Sequence, residues 1–278
     1  MPTRTARVSP VFCSADSVPV LMYHDVAPTP VSRAFRRFVV PPSLFVEHNL
    51  ALSEAGYTTG RVSRLCGPPP AGKAVFITLD DGFATIADHA LPALVAQGMT
   101  ATLFLPSAFI GRRASWLAPL RESYRPLLSW ADVRDARDAG FEIGSHGHRH
   151  LELDVIDEGR LERELVVSKR ILEDETSAGV ESLAYPFGYH NARVRSAAMR
   201  AGYRTACEVG YGLHRAARGP LRIRRLLVGP DVSGECLLKL MMEGTPTLAQ
   251  RARQTTRPAW RLVRRTTNAV RVPMPQKG

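Results

Sequence analysis

Residues 138–150 read Asp-Ala-Gly-Phe-Glu-Ile-Gly-Ser-His-Gly-His-Arg-His. The first half is a helix end, a glycine and a short apolar run. Glycine just past a helix takes the left-handed backbone that a residue with a Cβ resists, and the run that follows reads as a strand. The same grammar recurs at Glu54-Ala55-Gly56-Tyr57, Ala96-Gln97-Gly98-Met99 and Arg200-Ala201-Gly202-Tyr203. Four such helix-to-strand junctions predict alternating β and α elements, hence a parallel sheet or barrel.

Working outward, strands are expected at 18–23, 74–79, 101–105, 141–145, 182–185, 203–207 and 221–228. They are apolar without strict alternation, as strands covered on both faces should be. Helices are expected at 44–55, 86–97, 130–139, 157–174, 191–201 and 234–242, with Ser129 and Asp132 spaced as an N-cap pair. Two long connections, 26–42 and 106–128, are long enough to be functional.

The chain has 278 residues and a formal charge of +11. Residues 244–278 contain seven arginines, one lysine and no acid, so +8 belongs to that tail and +3 to the rest. The division expected is an N-terminal extension (1–17), a barrel (18–243) and a basic tail (244–278). Tail arginines interleaved with Trp260, Leu262 and Val263 suit peripheral contact with an anionic membrane, or simply a solvated basic tail. No nucleic-acid motif or stacking pattern accompanies the charge, so nucleic acid is not an expected partner. Residues 1–17 lack an apolar core of signal-peptide length. The uncharged stretch 90–111 is broken by Pro92, Gly98 and Pro106 and reads as a helix end and a buried strand, not a membrane span. Cys13, Cys66, Cys207 and Cys236 show no CxxC spacing, as reduced thiols in a cytoplasmic protein would not.

In α/β barrels the C-terminal ends of the strands carry the active site. Here those ends read Tyr23-His24-Asp25, Leu79-Asp80-Asp81-Gly82, Ser145-His146-Gly147-His148-Arg149-His150 and Tyr185-Pro186-Phe187-Gly188. His146 and His150, four apart, share a face if their segment turns helically, a spacing used for metal ligation. The alternative is a solvated polar loop. Neighbouring carboxylates leaving a strand point different ways, so one of Asp80 and Asp81 can ligate while the other acts as a base. Asp-Gly is also ordinary turn chemistry. One carboxylate and two imidazoles would leave a coordination position open for water or substrate, the mark of a catalytic metal site.

Thr78-Leu79-Asp80-Asp81-Gly82, Ser145-His146-Gly147-His148-Arg149-His150 and Tyr185-Pro186-Phe187-Gly188, in that order, resemble the first three motifs of the NodB-type polysaccharide deacetylases (carbohydrate esterase family four). The resemblance spans about 18–242. It implies a distorted (β/α)7 barrel that removes N-acetyl groups from amino sugars of a polysaccharide or glycan precursor. By position, Asp80 is the implied base, and Asp81, His146 and His150 the implied ligands of a divalent metal, zinc first, with cobalt, nickel, iron or manganese also compatible. Tyr185, Pro186, Phe187 and Gly188 would line the substrate groove, with the Phe187 N–H available to an oxyanion. Arg225, on the last strand, is grouped with this substrate side.

Three departures from the family pattern stand out. Gly147 replaces a usual Ser or Thr. Ala184 stands where an Arg normally orients the base, which makes Arg225 the candidate orienter. The late Leu-x-His that supplies the acid is missing. Val20-Leu21-Met22-Tyr23-His24-Asp25 resembles the opening of the exopolysaccharide-modifying branch, where an early His looks like the acid. That makes His24 the candidate, a structural hydrogen bonder being the alternative. Rival readings are a deformylase or amidase acting on a lipid-linked or small-molecule amide, and a non-catalytic glycan-binding barrel.

Overall fold

The computed structural model describes residues 17–28, 31–67 and 72–244. Seven strands form its main sheet: β1 Val20–Tyr23, β2 Ala74–Asp80, β3 Thr102–Leu105, β4 Glu142–Ser145, β5 Ser182–Ala184, β6 Thr205–Cys207 and β7 Leu226–Leu227. They lie in the order β6-β5-β4-β3-β2-β1-β7, all parallel, and Thr58–Gly60 joins the first half of β2. The helices are α1 Pro42–Glu54, α2 Thr85–Ala96, α3 Trp130–Asp138, α4 Glu158–Thr176, α5 Ala192–Arg200 and α6 Gly234–Glu243. The glycines after four of the helices, Gly56, Gly98, Gly140 and Gly202, all have positive φ. Ser129 and Asp132 form a capping box on α3.

Two expected strands differ in outcome. The run 18–23 is split at Pro19. Ser17–Val18 pairs antiparallel with His214–Arg215, and only β1 joins the sheet. The run 221–228 divides its hydrogen bonds. Ile223 bridges to Cys207, with Glu208 N–H donating to Ile223 O at 2.8 Å, whereas Leu226 and Leu227 pair with Leu21 and Met22. Residues 220–227 thereby carry the sheet round from β6 to β1, which is the distorted barrel.

Successive strand side chains point to opposite faces. Val75, Ile77 and Leu79 of β2 belong to the core beneath the helices. Phe76 turns inward onto Val20, Phe104, Ala184, Cys207 and Ile223. A Cβ at Gly144 would lie 2.7 Å from the Phe104 ring, so glycine makes room for that ring. The inward series of β2 therefore runs Phe76, Thr78, Asp80, from an apolar plug to a carboxylate at the mouth.

A buried ionic cluster ties the two long connections to the sheet. Arg125 Nη1 donates to Asp25 Oδ2 at 2.5 Å and its Nε to Glu122 Oε2 at 2.8 Å. Ser32 N–H donates to Glu122 Oε1 at 2.6 Å, Thr85 donates to Asp25, and the guanidinium lies over Phe35 and Phe83. Asp25 follows His24 directly, so the clamp fixes the end of β1 together with both loops.

Among the described residues no helix is long and apolar enough to cross a membrane. Cys66, Cys207 and Cys236 are free thiols. Residues 1–16, Cys13 among them, and the basic tail from 245 onward lie outside the described residues.

Removing one partner of a buried pair leaves an uncompensated charge and costs roughly 3–5 kcal/mol. Arg125→Met should lower unfolding stability by about that amount, read as a reduced urea midpoint with an unchanged slope.

Candidate active site

Asp80 ends β2 on the inward face, and Arg225 meets it from across the barrel. Nη1 and Nη2 of Arg225 donate to the two carboxylate oxygens at 2.6 and 2.7 Å. Nη1 also reaches Thr78 Oγ1 at 3.1 Å, and Nε reaches Glu208 O at 3.4 Å. Such a fork fixes both position and plane of a carboxylate. Burial alone would raise the Asp80 pKa, but Arg225, together with His146 and His24, more than offsets it and the carboxyl stays below its ordinary range. Arg225 has no exposed surface. Its grouping with substrate-contacting residues is therefore corrected: it stands behind Asp80, out of reach of any glycan.

Asp81, His146 and His150 gather beside this pair, all buried, with one donor atom from each within 4.8 Å of the others. Asp81 Oδ1 lies 3.4 Å from His146 Nε2 and 3.2 Å from His150 Nε2. The His146 Nδ1 donates to Ala184 O at 2.8 Å. That bond fixes the tautomer and turns a lone pair on Nε2 toward the carboxylate. Two acceptors facing each other in a buried site require a cation between them, a proton or a metal ion. The donor set thus fits a divalent ion, with His146, His150 and Asp81 as its holders.

The route by which the histidines converge differs from the expected helical turn. Residues 146–150 are irregular, and three positions take positive φ: Asp81 at 73°, Gly147 at 75° and His150 at 55°. Non-glycine residues in that region store strain, and here both are candidate ligands. His148 faces away, its Nδ1 2.9 Å from Ser107 Oγ.

The Gly147 departure has a local explanation. A Cβ there would lie 3.2 Å from Glu164 Oε2 and 3.6 Å from Pro186 Cγ. Glu164, buried on α4, accepts the Arg149 N–H at 2.8 Å and has backbone hydrogen bonds with His148 and Leu151. Ser168 donates to Gly147 O at 3.0 Å, and Ser145 Oγ accepts the Gly147 N–H at 3.1 Å. The loop is cradled from α4 instead of by a side chain of its own.

A cavity of about 470 Å³ opens over Asp80, Asp81, His146 and His150. His24 is on its wall, 4.7 Å from the Phe38 ring, with a buried Nδ1 that has no hydrogen-bond partner. Burial pushes the His24 pKa down, while the Asp81 and Asp80 carboxylates pull it back up. Tyr185, Phe187 and Gly188 line the cavity; Pro186 is buried and does not. Trp116, from the long 106–128 loop, stacks on His150 at 4.8 Å and 19°.

Sequence reasoning missed a second buried cluster. Glu208 accepts from His190 at 2.6 Å and from Arg218 at 2.8 Å, and the His190 ring stacks on Tyr185. Its own carbonyl receives Arg225 Nε. No spacing signal joins positions 190, 208 and 218. Only the turn after β6 brings them together.

Comparison with known proteins agrees with this geometry. Residues 67–206, half the chain, match the Polysaccharide deacetylase family model. YxkH of Bacillus subtilis, named after the same family, is 27% identical over 222 residues, covering 78% of this chain and 73% of that protein. The Streptococcus pyogenes deacetylase PplD, solved with acetate, superposes with a TM-score of 0.69 at 23% identity, covering 82% of this chain and 99% of that one. IcaB from Ammonifex degensii gives a TM-score of 0.69 at 19% identity, covering 82% and 97%. The chain belongs to the polysaccharide deacetylase family. It is a hydrolase of carbon–nitrogen bonds other than peptide bonds.

Burial would raise the Glu208 pKa, yet hydrogen bonding and charge from His190 and Arg218 bring it from 4.5 down to about 2. A lowered carboxylate pKa stabilises the fold above the unfolded value and loses that contribution as pH falls toward the folded one. The contribution is about 3 kcal/mol. Between pH 4.5 and about 2 the wild type should lose more stability than Glu208→Gln, measured by urea unfolding across that range.

Proposed function

We propose that the chain removes N-acetyl groups from amino sugars of a polysaccharide or glycan precursor, with Asp80 as base, His24 as acid and Asp81, His146 and His150 holding a divalent metal. The observation that carries this reading is the pairing of two adjacent carboxylates in different states. Asp80 is clamped by Arg225, and Asp81 faces the Nε2 atoms of two imidazoles.

Members of the family are metal-dependent, and this chain's donor set fits zinc first. A metal bound there would polarise the acetyl carbonyl and lower the pKa of water. The protein's own residues supply the rest. Arg225 keeps Asp80 ionised and oriented, ready to take the proton that the attacking water loses. Phe187, at positive φ on the cavity wall, would offer its backbone N–H to the carbonyl oxygen as it becomes negative. His24, also on the cavity wall, gives a proton to the departing nitrogen. Burial disfavours the protonated ring, whereas the Asp81 and Asp80 carboxylates favour the form that this step needs. The Tyr23-His24 pair supports a place in the exopolysaccharide-modifying branch. The buried donor set favours an enzyme over a barrel that only holds glycan.

Acetate release from acetylated amino-sugar oligomers should vanish on chelation and return on adding a divalent ion. Asp80→Asn should keep wild-type metal content and lose about 10²–10⁴-fold in turnover. No release with any metal, or an Asp80→Asn enzyme as active as wild type, would sink the reading. His24→Ala should likewise lose turnover while its metal content stays near wild type. Metal loss in that variant would make His24 a ligand instead.

A further inference from the structure

Arg215 to Arg225 holds five arginines in eleven residues and no acid. Arg225 is committed to Asp80. The other four lie on the outer side of the barrel's closing segment. Arg218 and Arg224 both turn toward one oxygen of Glu208, at 2.8 and 3.8 Å. The second oxygen of that carboxylate is taken by His190 at 2.6 Å. One buried acid therefore faces two guanidiniums and an imidazole, and the Nε atoms of Arg218 and Arg224 have no hydrogen-bond partner. Arg215 and Arg222 are exposed in the same run. Burial and like-charge repulsion from Arg218, Arg222 and Arg215 lower the pKa of Arg224, with Glu208 opposing. Positive charge is in surplus here. Along the chain the nearest acids are Glu208 before this run and Asp231 after it.

The patch adjoins the cavity. The Arg224 stem passes under the 210–212 turn, where a Cβ on Gly210 would sit 2.4 Å from Arg224 Cγ. Tyr211, at the top of that turn with φ 44°, lines the cavity together with Val209. Arg37 lines the same cavity near Leu227 of β7, its carbonyl 3.0 Å from where a Gly229 Cβ would be. Arg37 thus stands on the cavity wall and Arg224 just outside its rim, with Arg218 and Arg222 beside it; Arg215 lies farther down, opposite Ser17 ahead of β1. A neutral acetylated sugar has no use for the cations at the rim. Guanidinium forks match carboxylate and phosphate oxygens.

We propose that the preferred substrate is an anionic glycan, with a carboxylate or phosphate on a sugar neighbouring the acetylated one, received by Arg37 and the Arg218–Arg222–Arg224 side of the rim. This inference rests on the deacetylase reading above.

The test compares matched substrates. One arm uses oligosaccharides of alternating N-acetylglucosamine and glucuronate against their carboxyl-reduced forms. The other uses N-acetylglucosamine oligomers with and without a 6-phosphate. At low salt, kcat/KM should be at least tenfold higher on the charged member of one pair, and the advantage should shrink toward about 0.5 M salt. The Arg37→Glu/Arg222→Glu double variant, changed only at exposed positions, should bring the ratio toward one. Ratios within about twofold in both arms, or a double variant with an unchanged ratio, would overturn the proposal. So would a double variant that loses binding to phosphatidylglycerol vesicles while keeping its substrate ratio, since the patch would then serve a membrane. If a metal-loaded enzyme releases acetate from neither member of either pair, the deacetylase reading fails instead. Calorimetric titration with the glucuronate oligomer and its reduced form then decides the patch, at least tenfold preference for the charged form supporting it and equal affinity overturning it.

Discussion

Two charges meet in the middle of this barrel, shielded from bulk solvent. Arg225 and Asp80 form a bidentate pair, the arginine wholly buried and the carboxylate nearly so. Neither could be there alone, because an unpaired charge in such a place costs several kcal/mol. The pair explains why the last strand is irregular. Ile223 stays with β6, Leu226 moves to β1, and the shift between them swings Arg225 across the interior. The barrel closes where its orienting cation enters.

That arrangement also accounts for the unusual motif. Ala184 occupies the position at which the resembling family usually carries an orienting arginine. Its side chain instead completes the apolar plug with Phe104 and Ile223, and its carbonyl fixes the His146 tautomer. The orienting charge comes from the opposite side of the ring. The function is compatible with either origin, since what the carboxylate needs is a rigid fork and not a fork from a given strand. The loop around Gly147 repeats the theme: the support comes from Glu164 and Ser168 on α4.

Much of this was legible in the sequence, for identifiable reasons. Helix ends were marked by glycines that do take positive φ, and the strands between them by apolar runs. The residues brought to one mouth were those at the strand ends, because parallel barrels collect them there. The misreadings have physical causes. Pro19 breaks a run that looks continuous. Gly147 and His150 prevent the helical turn that four-residue spacing suggested. Arg225 was noticed as a cation on the last strand, but its depth could not be read from spacing. Glu164, Glu208 and His190 gave no signal at all, since each acts through a contact distant in sequence.

The central claim is that Arg225 acts on the chemistry through Asp80 and not through substrate binding. Arg225→Lys tests it most directly, because lysine keeps the charge and loses the fork. Acetate-release kinetics, metal content and thermal unfolding should be measured together. The account predicts a fall in kcat of about ten- to a hundredfold, with KM and metal stoichiometry near wild type and a folded protein. A variant with unchanged kcat, or one whose whole loss falls on KM, would contradict it.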